Sequence, residues 1–220
     1  MVKAKRPPET IKKYHFTGFL IKFIMANLEK QMVFPTLIWR DHEVLDKNNL
    51  SQIKDYCYSI NGRNSNSKLH KLKLFENLNK NIIKLSKQFM DDLNWEYEKL
   101  EITGMWSNKM TNKEFHRPHT HPNNLLSGVF YPENNDSKII FLDPRNQSSI
   151  FLPYINKYTY LNSSIWSFPA VKNTLILFPS WLMHYVEMVQ GTDFDRISIS
   201  FNVMLKGNFG KAEDFTKSTI

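Results

Sequence analysis

Three of the seven histidines, His116, His119 and His121, fall within the six residues HRPHTH, just before the apolar run LLSGVFYP. In an extended segment residues i and i+2 point to one face, so His119 and His121 can converge, whereas His116 stands at odd spacing and across Pro118. An HxH pair of this kind is a two-armed ligand for a divalent ion, and imidazole suits iron, zinc, copper or nickel. A third ligand has to come from elsewhere. His184, in the apolar phrase FPSWLMHYVEMV, is the best candidate, because an unpaired imidazole among such residues is costly. The plain alternative is that these are ordinary hydrogen-bonded histidines, and an HxH pair alone does not decide between the two readings.

Arg196 and Ser198 stand two apart in DRISISFN, hence on one face of a strand. A guanidinium fork matches a carboxylate, and a neighbouring hydroxyl adds a further hydrogen bond. Together they form a carboxylate anchor if they point inward. If they point outward, Arg196 is a surface cation paired with Asp193 or Asp195.

The elements that would hold these groups change character along the chain. Residues 1–30 are a basic leader followed by a short helical pattern, FLIKFIMANLEKQM, and form an appendage; residues 31–220 form the domain proper. VFPTLIWRD has the composition of a strand. NNLSQIKDYCYSI is a helix with Asp46 and Ser51 as candidate caps, and NGRNSNS is a polar loop. Leu72, Phe75, Leu78, Ile82, Leu85 and Phe89 then recur at helical spacing, predicting one long amphipathic helix from Leu69 to Leu93. The packed helices thus occupy about 46–93. From about 95 to 205 the helical period gives way to short strand-like runs, KLEITGMWSN, LLSGVFYP, KIIFLD, SSIWSFP, NTLILFP, LMHYVEMV and DRISISFNVML. The fold class is therefore mainly β with N-terminal helices, a sandwich or jelly roll against which those helices pack.

Composition narrows the class further. One cysteine, Cys57, allows no internal disulfide and no thiolate zinc site, and a cytoplasmic setting fits best. No stretch approaches the length of a bilayer span and the start lacks the apolar core of a signal peptide. The net charge of +8 could serve a nucleic-acid partner, but the lysines are scattered rather than clustered, which favours a generally basic surface.

The HxH arm, the SGVFYP strand, FLDPR, LILFPSWLMHYV and the terminal RISISFN resemble the iron(II)/2-oxoglutarate-dependent oxygenase superfamily. They are most similar to a family of short bacterial and viral 2-oxoglutarate-Fe(II) oxygenases, distantly related to prolyl 4-hydroxylases, over about Phe34 to Leu205. The resemblance implies a double-stranded β-helix of the cupin-like kind, with Fe(II) and 2-oxoglutarate as cofactors. It assigns His119, His121 and His184 to the metal, and Arg196 and Ser198 to the far carboxylate of 2-oxoglutarate. Asn108 and Tyr131 are further candidates to touch the cosubstrate, and no catalytic residue is expected beyond the metal centre. The implied reaction consumes 2-oxoglutarate and dioxygen, yields succinate and carbon dioxide, and hydroxylates a protein or small molecule. One departure from the wider superfamily is His121, which stands where a carboxylate is usual; this leaves open whether His121 is a ligand or supports one. Two other readings remain: a three-histidine cupin-like metalloenzyme that uses no 2-oxoglutarate, and a non-catalytic jelly-roll binding module. Cosubstrate binding separates the first and metal content the second. Substrate choice should lie in residues 40–70, 109–118 and 143–163, whose sequences do not name a substrate.

Overall fold

Long apolar runs such as LSGVFY and TLILFP, with no polar alternation, can form strands only where both sheet faces are covered. That is their situation in the computed structural model, which describes residues 32–219 apart from 62–63, 146–149, 152, 190–194 and 211–215. The chain divides into two units, Met1–Thr36 and Leu37–Ile220. The first lies almost wholly outside the described residues, as does the helical pattern expected at 1–30.

In the second unit, β1 (Trp39–His42), α1 (Lys47–Ser59) and α2 (Glu76–Asp92) precede β2 (Lys99–Met110), β3 (His116–His119), β4 (Leu126–Tyr131) and β5 (Asn135–Leu142). β6 (Ile165–Ala170), β7 (Thr174–Pro179), β8 (His184–Val186) and β9 (Arg196–Lys206) follow, with a small pair at Asn208–Phe209 and Ser218–Thr219. The larger sheet has the order β1-β7-β4-β9-β2 and the smaller β3-β8-β5-β6, and all the pairings are antiparallel. This is the jelly roll expected from the strand pattern. Every residue of β4 and β7 is buried.

Two cores explain that burial. One lies between the helices and the larger sheet, where Ile53, Phe75, Ile82 and Phe89 meet Ile199 and Phe201. The other lies between the sheets and includes Val129, Tyr131, Phe141 and Phe178. Burying each such side chain stabilises the fold by about 1.5–3 kcal/mol.

A bulge in β2 reconciles its sequence with both cores. Ile102 pairs with Val203 and Gly104 with Asn202, so the register slips by one at Thr103. Leu100, Ile102 and Met105 therefore all face the helices, while Trp106 and Asn108 face the other side.

The helical region departs from expectation at its start. Leu69–Lys71 and Lys73–Phe75 are short 3-10 turns separated by Leu72, whose ψ is 137°, and the α-helix begins only at Glu76. Tertiary contacts take the backbone groups a longer helix would need: Lys68 bridges Met105, and the His70 and Leu74 carbonyls accept from Asn79 and Asn49. Asp46 caps α1 through the Asn49 N–H at 2.9 Å, whereas Ser51 lies inside the helix. Only the end of VFPTLIWRD is a strand. The polar segment around Ser65 covers the open edge of β2, its N–H donating to Ser107 O at 3.1 Å.

Candidate metal and cosubstrate site

His119 and His184 sit directly opposite each other in the β3–β8 pair, with ring centroids 4.4 Å apart. His121 lies just past the end of β3, held by its N–H on Ser180 O at 2.9 Å. Its ring is 5.1 Å from His119 and 5.2 Å from His184. One nitrogen of each ring lies within 4.8 Å of the others, so the three can be brought to a single ion.

The opposite nitrogen of each ring is engaged. His119 Nδ1 is 2.7 Å from Arg117 O, His184 Nδ1 is 2.9 Å from Leu182 O, and His121 Nδ1 is 2.7 Å from Asn202 Oδ1. All three acceptors are carbonyl oxygens, so each Nδ1 must carry the proton and each Nε2 is left with its lone pair. Burial also lowers the His184 pKa to about 3, and burial lowers that of His121. Both rings therefore stay neutral and able to ligate at ordinary pH. The donor set fits a divalent ion, iron included.

Arg196 opens β9 and is 1% exposed. Its guanidinium donates to Ser198 Oγ at 3.1 Å and weakly to the Tyr131 hydroxyl at 3.4 Å, and it lies over the Tyr131 ring at 5.3 Å. Its Nε has no partner, and among the described residues no carboxylate pairs with it. Arg196 is thus buried and not on the surface, and Asp195 reaches toward Lys109 at 4.0 Å; Asp193, the other carboxylate considered for it, lies outside the described residues. A buried cation without a counter-charge is costly, which makes the group receptive to an anion. Burial pushes the Tyr131 phenol pKa up, partly opposed by Arg196, so its proton remains available for donation.

The histidines and Arg196 line one cavity of about 640 Å³. Ser198, Asn108 and Tyr131 line it too, so the predicted site residues come together. Asn108 is cross-strand from Ser198 and donates to Ser200 Oγ at 2.9 Å. Trp106 stacks near His121, centroids 6.0 Å apart, and Phe178 packs on His184 at 4.7 Å. Phe130, by contrast, belongs to the helix-side core and Trp181 is exposed.

His116, beside the metal arm, could from the sequence face either a substrate or the loop surface; despite its odd spacing it lines the cavity, because the β3 register shifts between His116 and His119, and its ring is 6.2 Å from His119. Sequence reasoning passed over a second group of residues. Asn202, Ser127 and Ser180 form a partly buried chain behind His121, with Ser127 Oγ donating to Asn202 at 2.8 Å and lying 2.7 Å from Ser180 Oγ. Asn202 and Ser200 continue the two-residue period of Arg196 and Ser198, a signal that was present in RISISFN.

Imidazoles that converge in a cavity within a jelly roll have the arrangement of a cupin-like metal site. Residues 104–202 match the family described as "Putative 2OG-Fe(II) oxygenase", so this part of the barrel is similar to proteins whose cofactors are Fe(II) and 2-oxoglutarate. Among solved structures, it is similar to HygX from Streptomyces hygroscopicus with nickel and 2-oxoglutarate bound (10% identity, 77% of this chain and 82% of that one, TM-score 0.54). A Pseudomonas putida prolyl-4-hydroxylase is similar at 12% identity, covering 80% and 89%, with TM-score 0.54. The non-haem α-ketoglutarate-dependent epimerase SnoN from nogalamycin biosynthesis is similar at 11% identity, covering 80% and 82%, with TM-score 0.59. At such identities these likenesses establish the fold. No curated protein matches the chain. No helix among the described residues is long and apolar enough to cross a membrane.

Proposed function

We propose that this protein is a 2-oxoglutarate- and Fe(II)-dependent hydroxylase of a protein or small molecule, with His119, His121 and His184 holding the metal. Arg196, Ser198 and Tyr131 bind the far carboxylate of 2-oxoglutarate, and Asn108 borders it. The observation that carries this reading is the buried Arg196, without a carboxylate partner among the described residues, in the same cavity as three imidazoles whose Nε2 atoms are free. A three-histidine enzyme without 2-oxoglutarate does not by itself call for such a cation. HygX and the P. putida prolyl-4-hydroxylase support the assignment by their fold.

When bound, iron and 2-oxoglutarate supply the oxidation, consuming dioxygen and releasing succinate and carbon dioxide. The residues of this chain do the rest. The three Nδ1 hydrogen bonds hold the rings in the ligating tautomer. Arg196 and Ser198 fix the cosubstrate by its distal end, and the Tyr131 phenol donates a further hydrogen bond. Trp106, Phe178 and Val129 keep the cavity wall apolar, which limits water at the reacting carbon.

Anaerobic titration of the iron-loaded protein with 2-oxoglutarate tests the reading. A visible charge-transfer band is expected in the parent and absent in Arg196→Ala, with iron retained in both. A parent protein that binds iron but gives no band contradicts it. A succinate-release screen then seeks the substrate: a product heavier by one oxygen atom marks hydroxylation, and one of unchanged mass marks epimerisation, the reaction named for SnoN.

A further inference from the structure

The cavity has a charge imbalance that the metal and cosubstrate do not use up. Three of its charged lining residues are cations, Lys113, Arg117 and Arg196, and one is an anion, Glu114. The metal position itself has a third imidazole, His121, where a carboxylate is usual in the wider superfamily. A divalent ion and a dianionic cosubstrate cancel, so the lining keeps a positive surplus, and a low-dielectric cleft concentrates its field.

The two exposed cations belong to a rigid part of the wall. Lys113 donates its N–H to Val189 O at 2.8 Å, and the Val189 N–H returns to Glu114 O at 2.9 Å, pinning the turn to the segment after β8. Lys113 adopts a φ of 69°, a left-handed conformation that an unbranched lysine does not favour. The Glu114 carboxylate accepts the Thr111 N–H at 2.7 Å and so braces this turn. Arg117 lies two residues before His119, and its carbonyl takes the His119 Nδ1 proton, which fixes its backbone beside the three histidines. Neither Lys113 nor Arg117 has a side-chain hydrogen bond or ion pair among the described residues. Phe115, 45% exposed, and Trp106 border the same cavity and offer flat apolar surface.

Building on the oxygenase reading above, we infer that the substrate carries an anionic group, a phosphate or a carboxylate, which docks against Lys113 and Arg117 while its apolar part lies along Phe115 and Trp106. The substrate is thus an acidic small molecule or an acidic side chain with a flat or apolar neighbour, and its charge steers it to the cavity.

Ligand-observed NMR on the full chain loaded with zinc, with and without 2-oxoglutarate, tests this with three probes: phenyl phosphate, phenylacetate and neutral benzyl alcohol. At least one anion should bind tenfold or more tightly than benzyl alcohol, and which one does separates phosphate from carboxylate. That preference should weaken as salt is raised and vanish in the Lys113→Ala/Arg117→Ala variant. Should the double variant fail to fold, Lys113→Gln and Arg117→Gln each read part of the same loss. Equal binding of anions and the alcohol overturns the inference. So does an anion preference that survives the double variant or is lost in Arg196→Ala instead, because the probe then sits in the cosubstrate pocket. The oxygenase reading is scored separately by the 2-oxoglutarate titration, so either idea can fail while the other stands.

Discussion

Asn202 accepts the Nδ1 proton of His121 at 2.7 Å, from a strand eighty-one residues further along the chain. The same Oδ1 takes the Ser127 hydroxyl proton at 2.8 Å, so a single amide oxygen orients the His121 imidazole. Neither His121 nor the acceptors behind the other two rings bring a negative charge to the metal position.

Removing that oxygen should therefore loosen the metal more than the fold. For Asn202→Ala we expect zinc or iron affinity to fall about 10–100-fold, read by competition with a chelator. Asn202→Asp, which keeps an acceptor, should retain most of it. Parent-like affinity in the alanine variant would show that His121 needs no such support.

Arg196→Met should abolish the cosubstrate response without harming the ligand-free protein. A buried guanidinium with an unpartnered Nε is costly, and an apolar side chain of similar length is often neutral or stabilising by about 1–4 kcal/mol. Thermal unfolding checks both halves: 2-oxoglutarate should raise the Tm of the metal-loaded parent and leave the variant's unmoved. A marked fall in the ligand-free Tm would mean that Arg196 is mainly structural.

Gly128 is needed for its missing side chain. A Cβ there would run into the Phe201 ring and come within 2.5 Å of Ile176 O on the neighbouring strand. Gly128→Ala should destabilise the protein by about 1–3 kcal/mol, seen as a lower urea midpoint with little change in slope.

Burial pushes the Cys57 thiol pKa up to about 11, whereas an unfolded thiol ionises near 8.5. Above about pH 8.5 the unfolded state loses a proton that the folded state keeps, so stability should fall by about 1.4 kcal/mol per pH unit up to about pH 11. Urea midpoints at several alkaline pH values should show that slope in the parent and a shallower one in Cys57→Ala. Identical slopes would mean the thiol is not the group responsible.

Much of the site was legible because it is local. His119 and His121 share a face by strand period alone, and Arg196 and Ser198 do the same; Ser200 and Asn202 extend that row and could have been read from the alternation in RISISFN. The strands β4 and β7 were equally plain, since unbroken apolar runs fit only a doubly covered sheet. What local spacing misjudged were places where the period is interrupted. The β2 bulge at Thr103 cannot be seen in KLEITGMWSN, the β3 irregularity turns His116 inward against its spacing, and tertiary hydrogen bonds to His70 and Leu74 delay the helix to Glu76.

By itself, then, the sequence determined which residue types stand on which strand faces, because side-chain direction follows from the chain's own two-residue period. Only the tertiary structure decided that His184 lies across from His119, that Asn202 reaches His121, and that Arg196 is buried in their cavity. Those relations depend on the register between strands far apart in the chain, and register is set by which side chains each sheet must bury against its neighbouring layer.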